Sequence, residues 1–164
     1  MLHGSCYCGA VCFSVESYTP YPYLWCYCSI CRKTAGGGGY AINIMGQAAT
    51  LKVQGREQVK VYQAKISDEK NPKEVKISPA RRNFCGICGS GLWIEDPRWP
   101  EWVYPFASAI DTPLPVPSER FHIMLDFAAN LCEIPKSEKD FHFPRYPKES
   151  IAEWHKRHGI YENP

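Results

Sequence analysis

Apolar and polar residues alternate in short runs along most of this chain, which is the period of half-buried strands rather than of helices. Ala10 to Val15 predicts a strand entered through a turn at Gly9. Residues 17–23 interleave Tyr18, Tyr21 and Tyr23 with Pro20 and Pro22, which predicts a loop or a sheet edge. Tyr40 to Met45 predicts a further strand, and Leu51–Gly55 with Val59–Tyr62 predicts two strands around a glycine turn. Val75–Ser78 and Phe121–Phe127 complete the strand set, while the polar stretch 67–74 reads as an exposed loop with solvated charges. The tail changes period. Ile151, Trp154 and His158 have helical spacing, cations near the end suit the helix dipole, and Gly159 supplies a stop. His155 and His158 read as packing or helix-end residues. No break in composition divides the chain, so residues 1–164 are expected to form one mainly β domain closed by a short C-terminal helix.

Composition changes this picture in one respect. A chain of 164 residues can bury roughly 70% of its unfolded surface, so it needs no metal merely to make up for size. No apolar run reaches the length of a membrane span, and Met1–Ser5 leads into the first cysteine with no signal-peptide core. A cytoplasmic setting, where thiols stay reduced, is the expectation. Yet there are nine cysteines. Their odd number argues against a complete disulfide framework, and their short pairwise spacing argues for metal.

Seven cysteines carry that spacing, in three blocks: Cys6 and Cys8; Cys26, Cys28 and Cys31; Cys85 and Cys88. On a strand, Cys6 and Cys8 would project to the same face. Zinc–sulfur bonds of about 2.3 Å require ligand sulfurs roughly 4 Å apart, and short spacings achieve this with little loop entropy. Four thiolates close a tetrahedral zinc site, whereas three leave one position open, the pattern of catalytic zinc. Seven ligands divide as four plus three, giving two zinc ions per chain. Either Cys6 and Cys8 join Cys85 and Cys88, or the 85–88 knuckle takes two of the central cysteines in a zinc ribbon; spacing does not choose. Cys12 and Cys132 fall outside the blocks and read as buried small hydrophobes.

With both metals bound, the formal charge of +2 moves close to neutral, which excludes a nucleic-acid footprint. Arg32 and Lys33 follow the central block, where they can offset its charge, attract a substrate carboxylate, or serve only as surface cations. Arg81 and Arg82 stand in the same position before the third block. The run Gly36–Gly39 lets the backbone approach a ligand, with Gly37 and Gly38 as candidate substrate contacts, or forms a flexible turn. It lacks the Gly-Lys-Ser/Thr ending of a phosphate loop. His122 is a weak candidate for a general base.

Three ordered blocks carry a resemblance: Gly4-Ser5-Cys6-Tyr7-Cys8-Gly9-Ala10-Val11, Cys26-Tyr27-Cys28-Ser29-Ile30-Cys31-Arg32-Lys33 and Phe84-Cys85-Gly86-Ile87-Cys88-Gly89-Ser90. Together they resemble the signature of the glutathione-dependent formaldehyde-activating enzyme family, which also contains centromere protein V. The segments Ser108–Asp111, His122–Asp126 and Glu153–His155 are similar to a bacterial branch of it. The resemblance implies an Mss4-like β-tent of zinc-clamped antiparallel sheets. It implies Cys6, Cys8, Cys85 and Cys88 as ligands of a structural zinc, and Cys26, Cys28 and Cys31 as ligands of the zinc at which glutathione chemistry occurs. It implies a carbon–sulfur lyase, or its reverse, joining a thiol such as glutathione to formaldehyde or another small aldehyde, in a monomer or homodimer. That branch would carry Ser-Lys and then Trp where this chain has Phe127-Ala128-Ala129-Asn130-Leu131, and its glycine run is less open. Two further readings stand beside this one: the same scaffold with glutathione-independent zinc chemistry on another small molecule, and a non-catalytic zinc-stabilised binding module.

Overall fold

Strand-period alternation builds three small sheets. The computed structural model of the protein describes residues 1–35, 37–67, 71 and 73–161. In chain order come β1 (Leu2–Ser5), β2 (Cys12–Val15), β3 (Leu24–Cys26) and α1 (Ser29–Ala35). Then follow β4 (Ala41–Ile42), β5 (Gly46–Gln47), β6 (Lys52–Gln54), β7 (Val59–Ser67) and β8 (Val75–Cys85). β9 (Gly91–Glu95), β10 (Trp102–Pro105), β11 (Arg120–Ile123), β12 (Asp140–His142) and α2 (Ile151–Arg157) complete the chain. Neighbours are ordered β1-β2-β6 in the first sheet, β5-β10-β9-β8-β7 in the second and β12-β11-β3-β4 in the third.

The expectation of a mainly β fold with a C-terminal helix holds. The first two sheets are antiparallel throughout. The third is mixed, because β11 runs parallel to both β3 and β12. The core lies between the sheets. Val11, Val15, Leu92, Trp93 and Val103 are fully buried, and the Phe13 ring meets Trp93 edge-on at 5.2 Å.

Several element ends differ from the sequence reading. β6 and β7 do not form a hairpin: β6 pairs with β2, and β7 pairs with β8 in another sheet. β8 runs well past Ser78 through Pro79, which falls in a break of register opposite Ala64; a bulge tolerates the missing N–H. Only Ala41–Ile42 of the 40–45 stretch joins a ladder. Asn43 and Met45 instead bridge singly to Phe106 and Thr19, carrying the chain from one sheet to the next. The strand expected over 121–127 stops at Ile123, because Met124 takes a left-handed conformation (φ 59°) and 125–127 close a 3-10 turn. Cys12 and Cys132 are half-buried rather than core. Part of the polar 67–74 loop lies outside the described residues.

The C-terminal helix is well specified locally. The Ser150 side chain accepts from the Glu153 N–H, and the Glu153 carboxylate accepts from the Ser150 N–H, forming a capping box. Trp154 is fully buried and stacks on Tyr23 at 3.9 Å, with 7° between the rings. His155 is also fully buried and packs edge-on against Tyr21 and Tyr23, as a packing residue should.

Candidate metal centres and the triad site

Two turns from distant parts of the chain meet. Cys6 and Cys8 sit in the turn after β1, not on a strand: the Cys6 N–H donates to Val11 C=O, and Gly9 N–H donates to Cys6 C=O. The second turn joins β8 to β9, where Cys85 N–H donates to Ser90 C=O and Gly89 N–H to Cys85 C=O. Gly9 and Gly89 stand at φ 74° and 76°, a conformation that side chains with Cβ resist. The Tyr7 N–H donates to Ser90 Oγ at 3.1 Å and ties the turns together.

The four sulfurs of Cys6, Cys8, Cys85 and Cys88 lie within 4.8 Å of one another. Cys6–Cys8 and Cys8–Cys85 are separated by 3.5 and 3.8 Å. Tetrahedral ligation at 2.3 Å needs about 3.8 Å between sulfurs, so the group fits one ion. Hydrogen bonding from the Ser90 side chain and backbone holds the Cys88 thiol down at about 5.

The other three block cysteines form a group of their own, with sulfurs again within 4.8 Å. Cys26 ends β3, Cys28 lies in the following loop, and Cys31 sits on the first turn of α1. The Cys31 N–H donates to Cys28 Sγ at 3.3 Å, and the Arg32 N–H donates to Cys28 C=O at 3.1 Å, so the helix start shapes the site. Cys26 and Cys31 are buried, and Cys28 is half-buried. Hydrogen bonds from Cys26 and then Cys31 hold Cys28 down at about 2, while contacts with Cys28 and Cys31, and then burial, push Cys26 far up. Thiols this close share protons unevenly, and a divalent cation would complete the set by displacing them. The zinc-ribbon alternative requires Cys85 and Cys88 to join the central cysteines; the sulfurs are instead gathered four and three. Each group could hold a metal ion.

Around the triad, Arg82 on β8 points two guanidinium nitrogens at Cys31 Sγ, each at 3.8 Å. Arg32 is half-buried, with a buried Nε that has no hydrogen-bond partner among the described residues, and Lys33 is exposed. Gly37 is exposed and open, and the atoms nearest to a Cβ on Gly38 would belong to Tyr40, in ordinary van der Waals contact. Gly36 lies outside the described residues. Arg81 is exposed and lines a separate cavity of about 350 Å³ with Arg56 and Trp102.

Sequence reasoning missed the network behind the triad. Tyr27, between two of the cysteines, is fully buried, and its O–H donates to His122 Nδ1 at 2.9 Å. Because a carboxylate only accepts, His122 Nε2–H donates to Asp140 Oδ1, also at 2.9 Å. Asp140 further accepts from Ser137 Oγ at 2.6 Å and from Arg120 Nε at 2.8 Å. Burial opposes ionisation of Asp140, yet bonds from Ser137, His122 and Arg120 hold its carboxyl well below the usual range. Burial likewise pushes His122 down despite Asp140, so the imidazole is neutral. With no exposed surface and both nitrogens engaged, His122 is not available as a general base. The signal was weak: His122 and Asp140 lie 18 residues apart in no recognisable spacing.

Residues 1–123 match the family described as glutathione-dependent formaldehyde-activating enzyme. The chain belongs to this family. A Halomonas elongata protein provisionally named a glutathione-dependent formaldehyde-activating enzyme is 56% identical over 162 residues, 99% of each chain. A crystal structure of a Rhodobacter sphaeroides protein is similar at a TM-score of 0.50 and 26% identity, covering 69% of this chain and 91% of that one. All seven block cysteines fall within the region matched to the formaldehyde-activating family, whereas Asp140 and the C-terminal helix lie beyond it.

Proposed function

We propose that this protein is a zinc-dependent enzyme that joins a thiol such as glutathione to formaldehyde or a close small aldehyde, with carbon–sulfur lysis as the reverse. Family membership supports the thiol–aldehyde pairing, and the observation that carries the reading is the isolated three-cysteine group. Three sulfurs leave one tetrahedral position for a substrate, while the four-cysteine group is complete. Zinc at the triad would supply Lewis acidity and lower the pKa of a thiol brought to it.

The chain's own residues do the remaining work. Cys26, Cys28 and Cys31 present three sulfurs on one face, fixed by the β3 ladder and the first turn of α1. Arg82 offsets the charge of Cys31. Arg32 and Lys33 offer cations for a substrate carboxylate, and Gly37 and Gly38 offer open backbone close by in sequence. Cys6, Cys8, Cys85 and Cys88 would hold a structural ion. All nine cysteines are unpaired, in keeping with a reducing, cytoplasmic setting and with a single zinc-stabilised domain over 1–164.

Adduct formation between glutathione and formaldehyde, followed with metal-loaded and chelated protein, tests this reading. It predicts faster formation only with the loaded protein; equal rates in the two samples would sink it.

A further inference from the structure

The arginine pair before the third cysteine block divides between two faces of one sheet. Arg81 and Arg82 are consecutive on β8, and consecutive strand residues project to opposite faces. Arg82 meets Cys31 on one face. Arg81 lines the cavity of about 350 Å³, whose walls include neither Arg82 nor a triad cysteine.

Strand register builds one side of this cavity. Arg81 pairs with Glu95, and Glu95 with Val103, so the three side chains stand in one row across β8, β9 and β10. Val103 is fully buried, Glu95 half-buried and Arg81 exposed, so the row runs from the core to solvent. The segment between β5 and β7 contributes Leu51 and Arg56 to the lining, and Trp102 adds an aromatic surface.

The charges on these walls are left open. Cross-strand partners lie about 5 Å apart at Cβ, close enough for opposite charges to pair. Arg81 and Glu95 nevertheless form no ion pair: Glu95 Oε1 accepts instead from the buried Trp93 indole N–H at 2.9 Å. Among the described residues, neither Arg81 nor Arg56 has an ion pair or a side-chain hydrogen bond. Asp96, the other acid in the lining, is already satisfied, because Arg98 Nε donates to its Oδ1 at 2.9 Å and Arg98 Nη2 to its Oδ2 at 2.6 Å. Arg56, Arg81 and Glu95 thus line the cavity with no partner of opposite sign.

We propose that this cavity binds a dicarboxylic α-amino acid of the size and charge of glutamate. Such a ligand carries two carboxylates and one ammonium, the complement of Arg56, Arg81 and Glu95. Each guanidinium can take a carboxylate through two parallel N–H···O bonds. Glu95 Oε2 accepts from the ammonium while Oε1 stays with Trp93. The ligand's methylenes lie against Leu51 and Trp102. Small-molecule sites span about 300–1,000 Å³, and this one stands at the lower limit, which suits a single amino acid better than a peptide. The site lies apart from the triad and does not depend on the thiol–aldehyde reading.

The test titrates zinc-loaded protein by calorimetry with L-glutamate, with glutarate, which lacks the ammonium, and with L-glutamine, which lacks the second carboxylate. Wild type should bind glutamate about tenfold tighter than either analogue, as one charged hydrogen-bonded contact provides. Arg81→Gln and Arg56→Gln should each weaken glutamate by about the same factor. Glu95→Gln keeps an acceptor for Trp93 and should abolish the preference for glutamate over glutarate. In correlation spectra, glutamate should move the Trp93 and Trp102 indole signals and leave that of Trp25, which neighbours Cys26. S-methylglutathione, which carries the same three charges on a longer chain and no free thiol, should leave the Trp102 signal in place. No glutamate binding at millimolar concentration, or an affinity unchanged in both arginine variants, would overturn the site. Glutarate binding as tight as that of glutamate, or an equal Trp102 shift with S-methylglutathione, would overturn the amino-acid assignment.

Discussion

Tyr27 shows how a single residue links the triad to the rest of the molecule. Its neighbours Cys26 and Cys28 supply sulfurs, while its own side chain turns inward to His122 and Asp140. Locking Tyr27 fixes the spacing of the sulfurs on either side. Groups that orient metal ligands typically contribute 10–100-fold in affinity. His122→Asn should therefore weaken metal binding at the triad by about that factor and leave the four-cysteine group unchanged. Competition with a chromophoric chelator reads both sites, and equal weakening at the two would count against the argument. The cysteines themselves were legible because short spacing is a local constraint. Tyr27's partners were not, since they are joined to it by the parallel pairing of β3 and β11, which leaves no local pattern.

At the scale of elements, the tail helix was legible and most strand ends were not. Its spacing, its capping residues and Gly159 at φ 67° are all local signals. β8 continues through a bulge at Pro79, the chain leaves its ladder at Asn43 to bridge another sheet, and β11 stops before a left-handed Met124, and those events depend on distant partners. Trp154 docks α2 by stacking on Tyr23 and donating its indole N–H to Glu119 at 3.1 Å. Trp154→Ala should cost about 3–5 kcal/mol in denaturant unfolding, as buried aromatic truncations do.

His155 makes the docking of that helix pH-sensitive. Its Nε2 accepts from the Tyr21 N–H at 3.2 Å, and its Nδ1–H donates to Ile151 C=O at 2.8 Å, an arrangement that requires the neutral ring. Burial is the main cause that pushes its pKa down. A group depressed in the fold contributes fully above its unfolded value, about 6.5, and that contribution is lost as pH falls through the depressed value. The protection factor of the Tyr21 amide should fall as pH drops below about 6.5, and His155→Gln should flatten this dependence.

On the scale of the whole molecule, the two cysteine groups differ in reach. Cys8 and Cys85 stand 77 residues apart, so an ion in the four-cysteine group joins the first sheet to the second. The triad spans only residues 26–31 and closes a local loop. Closure of the longer loop removes more entropy from the unfolded chain. Cys85→Ser should therefore lower the thermal midpoint more than Cys28→Ser, and scanning calorimetry of the two metal-loaded variants checks the order. A larger loss from Cys28→Ser would reverse the structural and functional roles given to the two groups.

Exchange between free formaldehyde and its glutathione adduct, measured by NMR on wild type and Cys28→Ser with bound metal counted in the same samples, decides the role of the triad. Acceleration by wild type with two metals per chain, falling to the buffer rate in a folded Cys28→Ser that keeps one, is the predicted result. Buffer-rate exchange by wild type with both metals in place would contradict it.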